Sequence, residues 1–214
     1  MSKTEIQYGA VILAAGASSR MGQPKQILPL GGDPLVVRAI KAALDSSAWP
    51  VVVVLGAHAE KIRPLLVRYP VIIVENAAWV EGMASSIRTG IATLRQFSRR
   101  LEAAVLGLCD QPAFTATVVR ELVEAQRKTG ALIVAARYNG RNGAPALFMR
   151  EQFSILENLT GEEGARSLLN GGPELIVSVD LPALAADVDT PEDYSRYTND
   201  QGGLAGPTNT ADRP

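Results

Sequence analysis

Four consecutive valines and a leucine, Val51-Val52-Val53-Val54-Leu55, make one of several short runs in this chain that are apolar without alternation. A strand with one face in water alternates apolar and polar residues. An unbroken run instead calls for burial on both faces, the condition of parallel strands covered by helices on each side. Strands are expected over 8–14, 51–55, 71–74, 103–109, 132–136, 145–148 and 175–179. Helical patterns separate them. Asp33-Pro34 reads as a cap with proline at the first helical position, opening a helix that runs to about Leu44. A second helix is expected from Met83 to Phe97, and a third after Thr115, with Leu122 and Val123 inward and a stop near Gly130. Pro64 is expected to break the crossover between His58 and Tyr69 into two pieces. Asn139-Gly140 and Asn142-Gly143 carry turn chemistry that makes the next strand antiparallel. The alternation predicts an α/β three-layer sandwich around a mostly parallel sheet.

The length of 214 residues fits one such domain, expected over 1–198. The segment 199–214, mostly DQGGLAGPTNTADRP, has little to bury and is expected to be a disordered tail. Basic residues number 21 and acidic residues 22, a net charge of about −1, which argues against a general nucleic-acid or membrane-surface binder. A local cationic pocket is still compatible with that balance. Cys109 and His58 are the chain's one cysteine and one histidine, so an intrachain disulfide is impossible and a Cys/His zinc site nearly so. Cys109 reads as an inert strand residue and His58 as a surface or packed histidine. No apolar run approaches the roughly 18 residues of a membrane span, and the opening MSKTEIQYG lacks the regions of a secretory signal. A cytoplasmic protein is the expectation.

Open parallel sheets bind ligands beyond the carboxyl ends of their strands. Two such ends carry chemistry here. After the first strand, "AAGASSRMGQPK" joins a backbone nearly free of side chains at Ala14, Ala15 and Gly16 to the cations Arg20 and Lys25. A base and ribose can lie against such a loop, its N–H groups can take phosphate oxygens, and the cations can neutralise a leaving pyrophosphate. A solvated loop with incidental cations is the competing reading. The spacing is neither a Walker loop nor a GxGxxG fingerprint. After the fourth strand comes Asp110, in "LCDQP". It can hold a hard cation such as magnesium through one or two oxygens, or simply open a turn before Pro112. In "DVDTPEDY", Asp189 is the candidate second carboxylate, Asp187 its competitor, and helix capping the plainer role. Gly82, Ser85 and Ser86 stand at a helix entrance, where they can read a base edge or only cap the helix.

These stretches resemble a known family. "LAAGASSRMGQPK" (13–25) resembles the LAAG-x-S-x-R-M-G-x-x-K signature of MobA-like nucleotidyltransferases, and most of all that of the molybdenum-cofactor cytidylyltransferase branch. "NAAWVEGMASS" (76–86), "LCDQP" (108–112), "GRNGAPALF" (140–148), "GEEGAR" (161–166) and "DVDTPEDY" (187–194) resemble that branch's later motifs in order. The resemblance implies a Rossmann-like nucleotide-diphospho-sugar transferase fold and magnesium (Mg2+) dependence. It implies Arg20 and Lys25 as catalytic contacts to the triphosphate, and Asp110 and Asp189 as metal ligands. Leu13, Ala14, Ala15, Gly16, Gly82 and Ser86 would surround the nucleotide. Guanylyl-transferring relatives usually carry LAGG, so Ala15 tilts the base toward cytosine. Glu162 replaces a usual Asp and Ala144 a usual His, both on the acceptor side.

The implied reaction moves CMP from CTP to a phosphate-bearing acceptor, first of all the molybdenum-bound pterin, and a molybdenum hydroxylase would be the client. The alternatives are cytidylyl transfer to a sugar or polyol phosphate such as methylerythritol phosphate, guanylyl transfer to the molybdenum cofactor, and a non-catalytic nucleotide-binding maturation factor.

Overall fold

The computed structural model describes residues 6–162, 164–170 and 176–202. Its seven-stranded sheet contains β1 (Tyr8–Ala14), β4 (Val51–Leu55), β5 (Ile72–Glu75), β6 (Ala103–Leu108), β7 (Ile133–Tyr138), β8 (Arg141–Met149) and β9 (Ile176–Asp180). The order across the sheet is β5-β4-β1-β6-β8-β7-β9. All neighbours run parallel except β8, which is antiparallel to both β6 and β7. Two strands of two residues each, β2 (Pro29–Leu30) and β3 (Asp33–Pro34), form a separate small hairpin.

The unbroken apolar runs account for the layers. Ala10, Ile12, Val51, Val53 and Leu55 face one core, which α1 (Leu35–Asp45), α2 (Ala59–Leu66) and α4 (Ala116–Thr129) cover. Their alternates Val11, Leu13, Val52 and Val54 face the other, under α3 (Met83–Phe97), α5 (Phe153–Leu156) and α6 (Arg166–Asn170). Successive side chains of a strand point to opposite faces, so a strand with helices on both sides needs apolar residues at every position. A third, small core of Met21, Leu28, Leu30, Leu35 and Val188 lies between the loop after β1 and α7 (Pro191–Gly202), which adds Tyr194 and Tyr197.

The expected sandwich and its main helices are present, with local corrections. Asp33-Pro34 does not cap α1. The pair lies in the β2–β3 hairpin, the Leu35 N–H donates to the Leu28 carbonyl at 3.0 Å, and the Asp33 carboxylate pairs with Lys41 at 2.6 Å. Tertiary pairing satisfies the helix end that a side-chain cap was expected to satisfy. Pro64 does not split α2, which runs through it in one piece. The carbonyl that loses its donor there belongs to Glu60, which is exposed and can be met by water. Asn139-Gly140 makes the β7–β8 turn with φ of 50° and 74°, the paired positive values of a tight hairpin. Asn142-Gly143 is not a second turn but part of β8, paired with Arg137 and Ala136. Helix α7 extends to Gly202, so the first residues of the expected tail are helical, and 203–214 lie outside the described residues. Among the described residues no helix is long and apolar enough to cross a membrane.

Candidate active site

A cleft of about 480 Å³ opens beyond the carboxyl ends of β1 and β6. Ten of the residues singled out from the sequence line it: Leu13, Ala14, Ala15, Gly16, Arg20, Lys25, Gly82, Ser86, Asp110 and Asp189. They come from four distant segments, and local structure explains how each arrives.

Segment 187–189 reaches Asp110 through the backbone, the Val188 N–H donating to the Asp110 carbonyl at 2.9 Å. Asp189 is not a cap. Thr190 and Asp193 exchange the capping bonds of α7: the Thr190 N–H and hydroxyl donate to the Asp193 carboxylate at 3.0 and 2.9 Å, and the Asp193 N–H donates to the Thr190 hydroxyl at 3.2 Å. The Asp189 side chain is thereby free for the cleft. Its two oxygens take Lys25 Nζ at 2.6 Å and Arg20 Nη2 at 2.8 Å. Lys25 Nζ also donates to Asp110 Oδ2 at 2.5 Å. One ammonium thus links two carboxylates separated by 79 positions in the chain.

Burial by itself would depress the Lys25 pKa, but the charge and hydrogen bond of Asp110, followed by those of Asp189, hold it above the ordinary lysine value. Burial likewise opposes ionisation of Asp189, yet the Lys25 bond and charge, with Arg20 behind them, leave it below the usual carboxylate range. Asp187, the competing carboxylate, also lines the cleft. Burial, reinforced by the Asp110 charge, pushes it up to about 6. Oδ1 of Asp110 and Oδ1 of Asp187 are both buried without a partner.

The loop after β1 is braced by residues whose importance the sequence did not reveal. Gln26, buried, donates from Nε2 to the carbonyls of Ala14 at 3.2 Å and Gly16 at 2.8 Å, and accepts from Ser18 Oγ at 3.2 Å. Ser18 Oγ accepts in turn from the Lys25 N–H at 3.1 Å. His58 Nε2 lies 2.9 Å from the Ala17 carbonyl, so the histidine pins the same loop from the next crossover. Across the cleft, buried Asn76 donates from Nδ2 to Ser85 Oγ at 2.8 Å and Ser86 Oγ at 3.0 Å. Ser85 turns its hydroxyl away from any ligand, donating to the Gly82 carbonyl at 2.8 Å and the Ala78 carbonyl at 3.0 Å, whereas Ser86 lines the cleft. Of the two serines, Ser86 is the one placed to meet a ligand.

Trp79, Val80, Met83, Glu162 and Arg166 also line the cleft. Glu162 is thus in the cleft, while Ala144 stands outside its lining and offers its carbonyl to Gln111 Nε2 at 3.1 Å and Tyr138 Oη at 2.9 Å. Cys109 lines the floor, and burial pushes its thiol up to about 12. A thiol that stays protonated does not attack disulfides. At pH 8 the native protein is expected to leave a chromogenic aromatic disulfide uncleaved and to react with one equivalent on unfolding. Fast reaction in the folded state would contradict this environment.

Residues 10–179 match the MobA-like NTP transferase domain. Nicotine blue oxidoreductase of Paenarthrobacter nicotinovorans is 33% identical over 199 residues, covering 87% of this chain and 94% of its own. The molybdenum cofactor cytidylyltransferase of Escherichia coli is 25% identical over 193 residues, covering 88% and 96%. Rv0371c of Mycobacterium tuberculosis superposes with a TM-score of 0.77 at 29% identity, covering 92% of this chain and all of its own, and a second structure of it, in complex with manganese, superposes at 0.71 with 28% identity over the same shares. With the family match spanning most of its length, the chain belongs to the MobA-like NTP transferase family, the nucleotidyltransferases its opening motif resembles.

Proposed function

We propose that the protein transfers a cytidylyl group from CTP to the phosphate of an acceptor, releasing pyrophosphate, with the molybdenum-bound pterin as the favoured acceptor. The convergence of Lys25 and Arg20 on Asp110 and Asp189 carries this reading. It supports a site where triphosphate charge is met at the end of a parallel sheet, beside a loop small enough for a nucleoside to lie against. The 25% identity to a molybdenum cofactor cytidylyltransferase and the alanine at position 15 favour cytosine and the pterin.

The charge balance of the cleft favours a divalent cation as well. Its lining carries three cations, Arg20, Lys25 and Arg166, against four carboxylates, Asp110, Glu162, Asp187 and Asp189. Such a wall cannot by itself neutralise the about four negative charges of a triphosphate. Asp110 and Asp189 both reach one point, now held by Lys25 Nζ, and the spare Oδ1 of Asp110 is a hard, unsatisfied oxygen donor. These residues fit magnesium or manganese, with substrate phosphates as the remaining ligands. When bound, the ion would polarise the α-phosphate. The protein's own part is positional and electrostatic. Lys25 and Arg20 turn to the departing β- and γ-phosphates, the braced loop fixes the nucleoside, and the acceptor oxygen forms its bond to the α-phosphorus as the bond to pyrophosphate breaks. An acceptor phosphate is already ionised at neutral pH, so no general base is required.

The relative named an oxidoreductase raises a redox reading. The cleft's cation–carboxylate cluster favours phosphate chemistry instead, and the protonated Cys109 offers no thiolate. Pyrophosphate release tests the proposal directly. CTP and GTP are each presented with molybdopterin-type, sugar-phosphate and polyol-phosphate acceptors in magnesium or manganese. Release is expected with CTP and the pterin, and Asp110→Asn is expected to slow it by about a hundredfold or more. Metal-dependent nucleotide binding without release to any acceptor would point to the maturation factor.

A further inference from the structure

The carboxylate oxygens that meet in the cleft are already filled from within the chain. Asp110 Oδ2 and Asp189 Oδ1 hold the same ammonium, Lys25 Nζ, at 2.5 and 2.6 Å, and Asp189 Oδ2 holds Arg20 Nη2 at 2.8 Å. Of these two acids' oxygens only Asp110 Oδ1 is left, buried and without a partner. A divalent ion approaching it would meet an ammonium on the other oxygen of the same carboxylate. Solvent screens that repulsion poorly, because the Lys25 and Asp110 side chains are 14% and 19% exposed.

The two cations hold their places differently. Arg20 is 69% exposed and pairs with Asp189 only, so water weakens its hold. Lys25 bridges both acids from a fixed backbone: its N–H donates to Ser18 Oγ at 3.1 Å, and its carbonyl accepts from the Leu28 N–H at 3.0 Å. What can move is the four-carbon side chain, a flexible stem that carries a point charge from one anion to another. A triphosphate supplies the second anion. With about four negative charges beside the loop it takes the ammonium, and both acids are released together. Each charge changes partner without being left alone in a buried place, which is the costly alternative.

We propose that Lys25 is an internal stand-in for the divalent cation, closing the Asp110–Asp189 site until a triphosphate draws its ammonium away, so that metal and nucleotide enter as a linked pair. The inference rests on the nucleotidyl-transfer reading above and adds an order of events to it. Linkage is reciprocal, so what the lysine costs the metal before nucleotide arrives is returned once nucleotide is bound.

Manganese binding by the nucleotide-free protein tests this without turnover. The ion is titrated into the protein while the electron paramagnetic resonance signal of its free aqua form is followed. Lys25→Met is expected to bind manganese about 10- to 100-fold more tightly than the parent, because the two carboxylates no longer give up charge-assisted bonds to receive it. Lys25→Arg keeps the charge and should bind no better than the parent. Arg20→Gln removes an equal charge beside Asp189 and should gain about fivefold or less. Manganese should also return most of the melting temperature that Lys25→Met loses in a chelator, and shift the parent little. Equal affinity in parent and Lys25→Met, or an equal gain from Arg20→Gln, overturns the inference. So does micromolar manganese binding by the nucleotide-free parent, a result that needs no variant. Calorimetry with α,β-methylene-CTP, which resists cleavage, checks the underlying reading. Its failure to bind any of these proteins in manganese overturns nucleotidyl transfer instead.

Discussion

Lys25→Met is expected to reduce turnover by about a hundredfold to a thousandfold while leaving the sheet intact. On the proposed function the ammonium meets the leaving pyrophosphate, and in the structure it is the shared counter-ion of Asp110 and Asp189, at 2.5 and 2.6 Å. A loss confined to KM for the nucleotide, with kcat preserved, would contradict a role on the departing phosphates. The same substitution has a stability signature in metal-free buffer containing a chelator. Removing one partner of a largely buried ion pair leaves the others facing each other uncompensated. Lys25 and Asp110 are 14% and 19% exposed at their side chains, and Asp189 is 30% exposed, so solvent screens part of the penalty. A deficit of about 1–3 kcal/mol at pH 7 is expected.

Its pH dependence has a definite sign. Lys25 is raised above its ordinary pKa, so its contribution is fully present below about pH 10.4 and is lost as pH climbs through the higher folded value. Asp189 is lowered, so its contribution is present above about pH 3.9 and is lost as pH falls through the lower folded value. The difference in melting temperature between wild type and Lys25→Met should therefore be widest between these limits and close at both. A difference independent of pH would mean that lost packing, not lost charge, dominates.

Gly82→Ala is the second large effect, and it tests the backbone. Gly82 has φ of 98° and ψ of −175°, a region reserved almost wholly for glycine. An added methyl would sit 2.8 Å from Glu162 Cα and 3.0 Å from the Gly161 carbonyl oxygen, backbone atoms that cannot rotate away. Torsional strain and steric overlap together should destabilise the protein by about 2–3 kcal/mol, or roughly 4–12 °C in melting temperature for a domain of this size. Nucleotide affinity should fall with it, because the entrance of α3 and the neighbouring chain at Gly161 move apart together. A neutral Gly82→Ala variant would show that this contact is looser than its geometry.

Much of this architecture was legible in the sequence because the relevant signals are local. Unbroken runs such as Val51–Leu55 announce strands covered on both faces, and Asn139-Gly140 announces its hairpin. Arg20, Lys25, Asp110 and Asp189 stood out because each lies just past an apolar strand or immediately before a helix start. What escaped notice depends on partners far along the chain. Gln26 and His58 are isolated polar residues with no period, Asn76 opens the 76–86 stretch without a signal of its own, and their roles come from carbonyls and hydroxyls that folding brings to them. Asp33-Pro34 misled for the same reason, since a hairpin outcompeted the cap. One missed feature did carry a readable signal. Thr190-x-x-Asp193 has the spacing of a reciprocal cap, and it would have freed Asp189 for the cleft from the outset.

The small core that joins Met21, Leu28, Leu30, Leu35 and Val188 to Tyr194 and Tyr197 has a bearing on when the protein becomes competent. Everything Asp189 does depends on α7 settling against the loop after β1, and the tyrosine hydroxyls latch it there, Tyr194 onto the Pro29 carbonyl and Tyr197 onto that of Ala186. A chain cut between β9 and residue 187 would keep every strand of its sheet yet hold only one of the two acids that face Lys25. On the proposed function such a fragment should fold and remain inert, so the molecule would be armed only once α7 has docked.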